Sequence, residues 1–332
     1  MTRVRARLWA LAQVVVAGVL VYEVIALSGG LTALGAGMAR LPAGAVLLAL
    51  AIYTADRVLM AYKWTLLLRL DGPGLPVLRA TRIYCASMVW GLVLPATIGA
   101  DTVRIASTAR QGLSASKVTA SVLVERVVGI LATLLASALG GFLVARLAQL
   151  PEGLEPLVWV GLAGLCVGVV GFALSLSQAF YGLVTERLLG ALGGPLRRVA
   201  DPIRRFHAHY HAYGRSPRVL YAFFGLSIVE QLVPALAVWV LALALGAELG
   251  LLPVLGAVTV SLLLARIPIS LGGIGVYEGS MVALLVASGL GTEPAMVVAV
   301  TSRIIETLGW LPWWLAQALA EGRRSVEPYP ET

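Results

Sequence analysis

The sequence predicts an all-α integral membrane protein with about six full transmembrane helices plus two re-entrant helical hairpins, arranged as an inverted repeat. Three observations predict it. The composition is too apolar for a soluble core, with 59% hydrophobic and 13% charged residues and a mean hydropathy of +0.90, against roughly half apolar and a quarter charged in soluble domains. Apolar stretches of bilayer length, about 20 residues, recur along the chain, and two shorter ones end in proline followed by a glycine-rich break. Basic residues collect between these stretches rather than within them.

The first stretch, Leu8 to Ser28, follows Arg3, Arg5 and Arg7. It is longer than the apolar core of a signal peptide and no small-x-small cleavage site directly follows, so it reads as a retained first span. Ala43 to Leu68 is the second span. Ile83 to Pro95 is too short to cross and runs into Pro95-Ala-Thr-Ile-Gly99. Proline removes a backbone donor there, and broken backbone at membrane depth is tolerated only where protein or water lines it. Ser114 to Leu147, Leu157 to Ser177 and Arg218 to Leu245 have full crossing length. Leu251 to Pro268 breaks again, at Pro268, Gly272, Gly273 and Gly275, before Pro294 to Ala320 makes the last crossing.

The longest polar stretch, Gln178 to Pro217, carries Arg187, Arg197, Arg198, Arg204, Arg205 and Arg215, which the positive-inside rule assigns to the cytoplasm. Counting from it, the turn holding Arg104, Arg110 and Lys117 is cytoplasmic. The loop holding Lys63, Arg69, Arg79 and Arg82 is cytoplasmic too, so the segment from Ile83 starts and finishes on one side. The loop around Glu248 to Leu252 has no positive charge, and Arg323 and Arg324 fall inside. The second broken segment is then re-entrant from the outside, and both termini are cytoplasmic.

The two broken segments match. Pro95-Ala-Thr-Ile-Gly99 aligns with Pro268-Ile-Ser-Leu-Gly272 at an offset of 173, and Gly112-Leu113, Arg126 and Val127-Val128 align with Gly289-Leu290, Arg303 and Ile304-Ile305 at an offset of 177. The halves are residues 1–150, with a hairpin near 79–113, and 151–332, with a hairpin near 251–291 and the basic segment 178–217. Hairpins that open to opposite sides are the architecture of a transporter, in which one central site is exposed alternately to either face.

Arg126 and Arg303 each lie 13 residues beyond the Gly-Leu pair that opens their helix, roughly 20 Å along it, which places both near the middle of the hydrocarbon layer. Each costs about 2.5 to 3.5 kcal/mol there unless paired or facing water. Glu125 adjoins Arg126, and Glu306 follows Arg303 on the same helical face. Two readings stand side by side: ion pairs that lock helices together, or a midplane site in which two guanidinium forks hold an anionic headgroup. Half-helices starting at Ala96 to Gly99 and at Ser270 to Gly275 would aim free N–H groups at the same anion. Asp101 and Glu278, near the starts of those half-helices, are either caps or carriers of a proton or cation. Arg104 is either the partner of Asp101 or a lipid-phosphate contact at the inner mouth. Glu23, Asp56, Arg57, Glu230 and Arg266 are further ionisable residues in apolar segments.

The net charge of +8 does not call for nucleic acid, because the arginines sit where topology and anionic lipid headgroups account for them. Cys85 and Cys166 fall in apolar segments and imply neither disulfide nor metal cluster. His207, His209 and His211 converge on a strand but diverge on a helix, and their Arg-rich surroundings read as an interfacial helix or loop. Neither a metal nor a cofactor is expected. No paired carboxylates in a polar loop, nucleophile elbow or zinc spacing is found, so the chain is not expected to be an enzyme.

Several motifs carry a family resemblance. They are Lys63-Trp64 with Leu67-Leu68, Leu94-Pro95 through Gly99-Ala100-Asp101 to Arg104, Glu125-Arg126, and Ile267-Pro268 through Gly272-Gly273-Ile274-Gly275 to Glu278, followed by Arg303. In these the chain resembles the flippase-like membrane family related to the transmembrane region of lysylphosphatidylglycerol synthases. Lys63 stands where arginine is usual in that family, and Ala100 where a second glycine is common. The resemblance implies a prokaryotic cytoplasmic membrane and movement of phospholipids or polyprenyl-linked lipids between leaflets; family members fused to a synthase carry a soluble aminoacyl-transferase domain for which these 332 residues leave no room, so a stand-alone transmembrane unit is expected. The partners are then membrane lipids, and the sequence carries no signature of oligomeric state. An enzyme or accessory subunit of lipid-linked glycan or phospholipid synthesis and a non-transporting scaffold are the competing readings.

Overall fold

The computed structural model describes residues 30–70, 72–93, 98–147, 155–188, 197–267, 269–270 and 273–324, with a few positions between 15 and 26. Both chain ends, most of the first span from Leu8 to Ser28, and the break residues Pro95, Pro268 and Gly272 lie outside the described residues.

Among the described residues every regular element is helical. In order these are α1 (Leu31–Ala39), α2 (Ala43–Arg69), α3 (Val77–Val93), α4 (Ile98–Ala109), α5 (Ala115–Leu147) and α6 (Glu155–Ser175). Next comes α7 (Gln178–Gly182), which runs into a π-helical turn over Leu183–Leu188. Then follow α8 (Arg197–Gly214), α9 (Pro217–Ala244), α10 (Leu251–Ala265), α11 (Val276–Ala287), α12 (Thr292–Leu308) and α13 (Leu311–Arg324). Prolines punctuate the starts: Pro42, Pro76, Pro217, Pro253, Pro294 and Pro312 all fall just before or within a first turn, where the missing N–H has no intrahelical partner to lose. Ser177 starts α7 by accepting the Phe180 N–H at 3.2 Å, an ordinary N-cap.

Among the described residues, four helical stretches are long and apolar enough to cross a membrane: Ala43–Arg69, Ala115–Val144, Pro217–Ala244 and Thr292–Leu319. Gly161–Ser175 with Gln178–Glu186, bent by 56°, makes a fifth if the pair is one span. The helices α10 and α11, at 15 and 12 residues, reach about 22 and 18 Å, short of a hydrocarbon core of about 30 Å. Each break falls between two helices that pack on one another, α3 on α4 and α10 on α11.

Contacts divide the chain into two compact units. One comprises Met1–Asp56, Gly129–Val169 and Ser227–Glu306. Its core joins Tyr53, Leu241, Val258, Tyr277, Met281 and Met296. Here α5 and α10 cross almost backbone to backbone. A methyl at Gly140 would lie 2.9 Å from Gly256 Cα, and one at Gly256 would lie 2.5 Å from the Gly140 carbonyl oxygen. Ser137 Oγ donates to the Thr259 carbonyl at 2.6 Å beside this crossing. Small residues that let helices approach closely are the usual adhesive where lipid removes the hydrophobic drive between them.

The other unit comprises Arg57–Val128, Val170–Leu226 and Thr307–Thr332. One of its cores is built on Trp64, Ile83, Tyr84 and Val122, the other on Leu67, Val124, Tyr210, Tyr213 and Phe223. The Arg-rich stretch is here the amphipathic helix α8. His207 and His211, one turn apart, face inward with Tyr210 and Tyr213, and the histidine spacing therefore does not converge. His211 Nδ1 lies 2.9 Å from the Leu176 carbonyl and its Nε2 2.9 Å from Gln178 Oε1. His207 is 6% exposed, with ring contacts to Phe180 at 5.7 Å, Tyr181 at 5.3 Å and Tyr210 at 6.2 Å. Neither of its ring nitrogens has a hydrogen-bond partner. Burial, and secondarily the charge of His211, hold its pKa below the ordinary imidazole value.

Two expectations follow. Gly256→Val drives a side chain into the α5 backbone and lowers stability by about 2 kcal/mol, whereas Gly225→Val, with nothing within 4 Å, is near neutral; equal losses in denaturant titrations would contradict the crossing. A lowered His207 pKa means the undocked helix binds the proton more tightly. Docking of α8 is then complete above about pH 6.5 and weakens as pH falls. Limited proteolysis of α8 in nanodiscs should accelerate at acidic pH in the native protein and not in His207→Phe.

Candidate functional site

In the second unit, two carboxylates and two guanidiniums gather from α4 and α5. Asp101 stands in the first turn of α4, where the dipole favours a negative charge, and Arg104 lies one turn further on. Glu125 and Arg126 are adjacent on α5, so their side chains leave the helix about 100° apart and meet different partners. Arg126 holds Asp101 through two parallel bonds, Nε to Oδ2 at 3.1 Å and Nη2 to Oδ1 at 2.7 Å. Glu125 accepts Arg104 Nη1 at 3.1 and 2.8 Å on its two oxygens and the Tyr84 hydroxyl at 2.8 Å. Arg104 Nη2 also reaches Asp101 Oδ1 at 3.3 Å. The expected Asp101–Arg104 contact is thus present, while the sequence neighbours Glu125 and Arg126 bond elsewhere.

Aromatic rings wall this cluster. The Arg104 guanidinium lies 4.6 Å from the Tyr84 ring centre and 5.0 Å from that of Trp64. Trp64 Nε1 donates to Ser121 Oγ at 3.1 Å. Trp310 stacks on Tyr84 at 6.3 Å and carries the Arg57 guanidinium 3.7 Å above it. The Arg104 side chain is 0% exposed, whereas that of Arg126 is 41% exposed. Arg104 is therefore an internal strut, and Arg126 is the guanidinium that a ligand can reach.

In the first unit a related arrangement joins α11 and α12. Glu278, in the first turn of α11, accepts Arg303 Nε at 3.0 Å on one oxygen and the Gly275 N–H at 2.6 Å on the other, so it is both a cap and an ion-pair partner. Gly273 and Gly275, at φ of 74° and 82°, adopt the left-handed backbone that lets the chain turn into α11. Arg303 Nη1 donates to Glu306 at 3.1 Å, the expected same-face pair, and its guanidinium lies 4.9 Å from the buried Tyr277 ring. The Arg303 side chain is 27% exposed.

The two pairs share their spacing. Asp101 precedes Arg126 by 25 residues and Glu278 precedes Arg303 by 25, and each arginine is the twelfth residue of its helix. At the offset of 177, Met281 stands at the position of Arg104 and Ser302 at that of Glu125, so the second pair has no equivalent strut. Gly99 lies in the first turn of α4. Of the other ionisable residues, Asp56 and Arg57 are buried, Glu230 is half-buried, and Glu23 and Arg266 are exposed. The aromatic walls at Tyr84, Trp310 and Tyr277 escaped the sequence reading; the one available signal was their placement in segments next to lone charges.

The profile of the family described as lysylphosphatidylglycerol synthase TM region matches residues 9–312, nearly the whole chain. No curated protein matches it.

The strut and the reachable arginine differ in their expected energetics. Glu125→Ala leaves a buried guanidinium short of its main counter-charge and lowers stability by about 3 kcal/mol. Arg126→Gln keeps a donor for Asp101, which also retains Arg104, and so costs less, about 1 kcal/mol. Unfolding free energies from mixed-micelle titrations check the contrast, and a reversed order would sink the assignment.

Proposed function

Because this chain belongs to the lysylphosphatidylglycerol synthase transmembrane-region family, we propose that it is a flippase that moves an anionic lipid between the leaflets of the cell membrane. The cargo class is a phospholipid or a polyprenyl-phosphate-linked lipid, whose phosphate is held by Arg126 in one unit and by Arg303 in the other, each near the bilayer midplane, while the tails remain in lipid. The observation that carries this reading is the recurrence of one unit of chemistry, a first-turn carboxylate and a partly exposed arginine 25 residues later. Each arginine follows a glycine turn of positive φ, 90° at Gly112 and 101° at Gly289.

In this reading α3–α4 and α10–α11 are re-entrant hairpins of an inverted repeat, opening to opposite sides, with the basic α8 region and both termini in the cytoplasm. The lipid phosphate takes the Nε–Nη2 edge of each guanidinium, the geometry that suits a bidentate oxyanion. Arg104 and Glu125 hold Asp101 and α5 in place, and Glu306 keeps Arg303 oriented. No chemical step is assigned; the work is binding and exposure.

Proteoliposomes with fluorescent headgroup-labelled lipids and an impermeant quencher test this. Arg126→Ala and Arg303→Ala should each slow movement at least tenfold, about 1.4 kcal/mol in the barrier, with the helical content of native protein. Native rates in both variants, across phosphatidylglycerol and polyprenyl-phosphate probes, would refute the site. Cleavage or transfer of a lipid-linked sugar by the purified protein would instead establish an enzyme.

A further inference from the structure

We propose that Asp101 and Glu278 are internal competitors for the lipid phosphate. Each bonds to the Nε side of its arginine, and each gives that side up to the phosphate by falling back on a second donor. This inference rests on the reading of Arg126 and Arg303 as phosphate ligands.

The bonding of the two carboxylates motivates it. Asp101 covers the Nε–Nη2 edge of Arg126, the edge a phosphate would need. Its Oδ1 is already shared with Arg104 Nη2 at 3.3 Å, and Arg104 Nε is buried with no hydrogen-bond partner. A wholly buried guanidinium with an unused N–H is a reserve donor, and an orphaned buried N–H favours any acceptor that can shift onto it. When Arg126 turns to a phosphate, Asp101 therefore has a positive partner at hand, and Glu125 remains on Nη1 of the same guanidinium.

Glu278 meets the same requirement by a different route. It blocks Arg303 Nε with one oxygen and accepts the Gly275 N–H with the other. If Arg303 leaves, the carboxylate keeps its backbone donor and the helix dipole of α11, and Arg303 keeps Glu306 through Nη1, which orients the guanidinium. In neither pair does departure of the arginine leave a buried carboxylate without a donor, the condition for a readily reversible exchange. The competitor also favours release, because a returning carboxylate displaces the phosphate from the guanidinium.

The isosteric variants Asp101→Asn and Glu278→Gln remove the competing charge, and the glutamine retains an oxygen for the Gly275 N–H. The probes are dihexanoylphosphatidylglycerol, for a phospholipid headgroup, and geranyl phosphate, for a polyprenyl phosphate, titrated onto the full chain in detergent with tryptophan fluorescence as the readout. Transport is followed in proteoliposomes with the labelled form of whichever probe binds. Both variants should bind that probe about fivefold to tenfold more tightly and move it several-fold more slowly, and Asp101→Glu should restore both values toward native. A merely structural role would weaken binding and slow transport together.

Unchanged or weaker binding in both variants, while Arg126→Ala abolishes it, overturns the competition and leaves the phosphate site standing. If the native protein binds neither probe and moves neither lipid, the phosphate site itself is refuted, and the competition with it.

Discussion

A guanidinium in the apolar part of a helix needs a carboxylate delivered to the same depth, and that requirement shapes both compact units. The carboxylate comes each time from the first turn of a helix that begins at a break, where the dipole already favours a negative charge. The break is thus the means by which Asp101 and Glu278 reach Arg126 and Arg303. A continuous helix would have neither the free first-turn donors nor the freedom to aim a short side chain at a neighbour twelve residues into the next element.

The two pairs answer the same need with different degrees of support. Around Arg126 the charges balance, two carboxylates against two guanidiniums, and Tyr84 and Trp64 enclose the buried member. Around Arg303 one guanidinium bridges Glu278 and Glu306 beside Tyr277. Buried ion pairs add little to net stability, because the desolvation of both charges offsets much of their attraction. The aromatic walls add dispersion and cation–π attraction that water would otherwise weaken. The second, leaner pair relies on the backbone N–H of Gly275 for what Arg104 supplies in the first.

Much of the architecture was legible because apolar runs end where proline, glycine or charge begins. Ala43 to Leu68, Ser114 to Leu147 and Arg218 to Leu245 meet their helices within a residue at either end. The final crossing reads in sequence as one run, but the helix stops at Leu308 and restarts at Leu311, an interruption that Gly309 and Pro312 could have signalled. The short helix Leu31–Ala39 was missed, since nine residues carry too weak a period to stand out in an apolar chain. The charged residues themselves were found, because ionisable groups in apolar segments are conspicuous. Which carboxylate meets which arginine was not legible. Sequence adjacency suggested Glu125 for Arg126, yet adjacent helical positions diverge, and Arg126 of α5 reaches Asp101 of α4 instead.

The divergence of Glu125 and Arg126 also fixes how much the region can adapt. Glu125 is fastened to a guanidinium with no solvent exposure and to a tyrosine hydroxyl, which pins the stretch of α5 that carries both residues. The neighbouring Arg126 hangs from that pinned stretch on a long side chain with several rotatable bonds. Accommodation therefore falls to torsions of a single flexible arm, not to sliding of a helix. Among the described residues, the tip of that arm is held only by its two bonds to Asp101, so its position depends on a side chain and not on the helix axis.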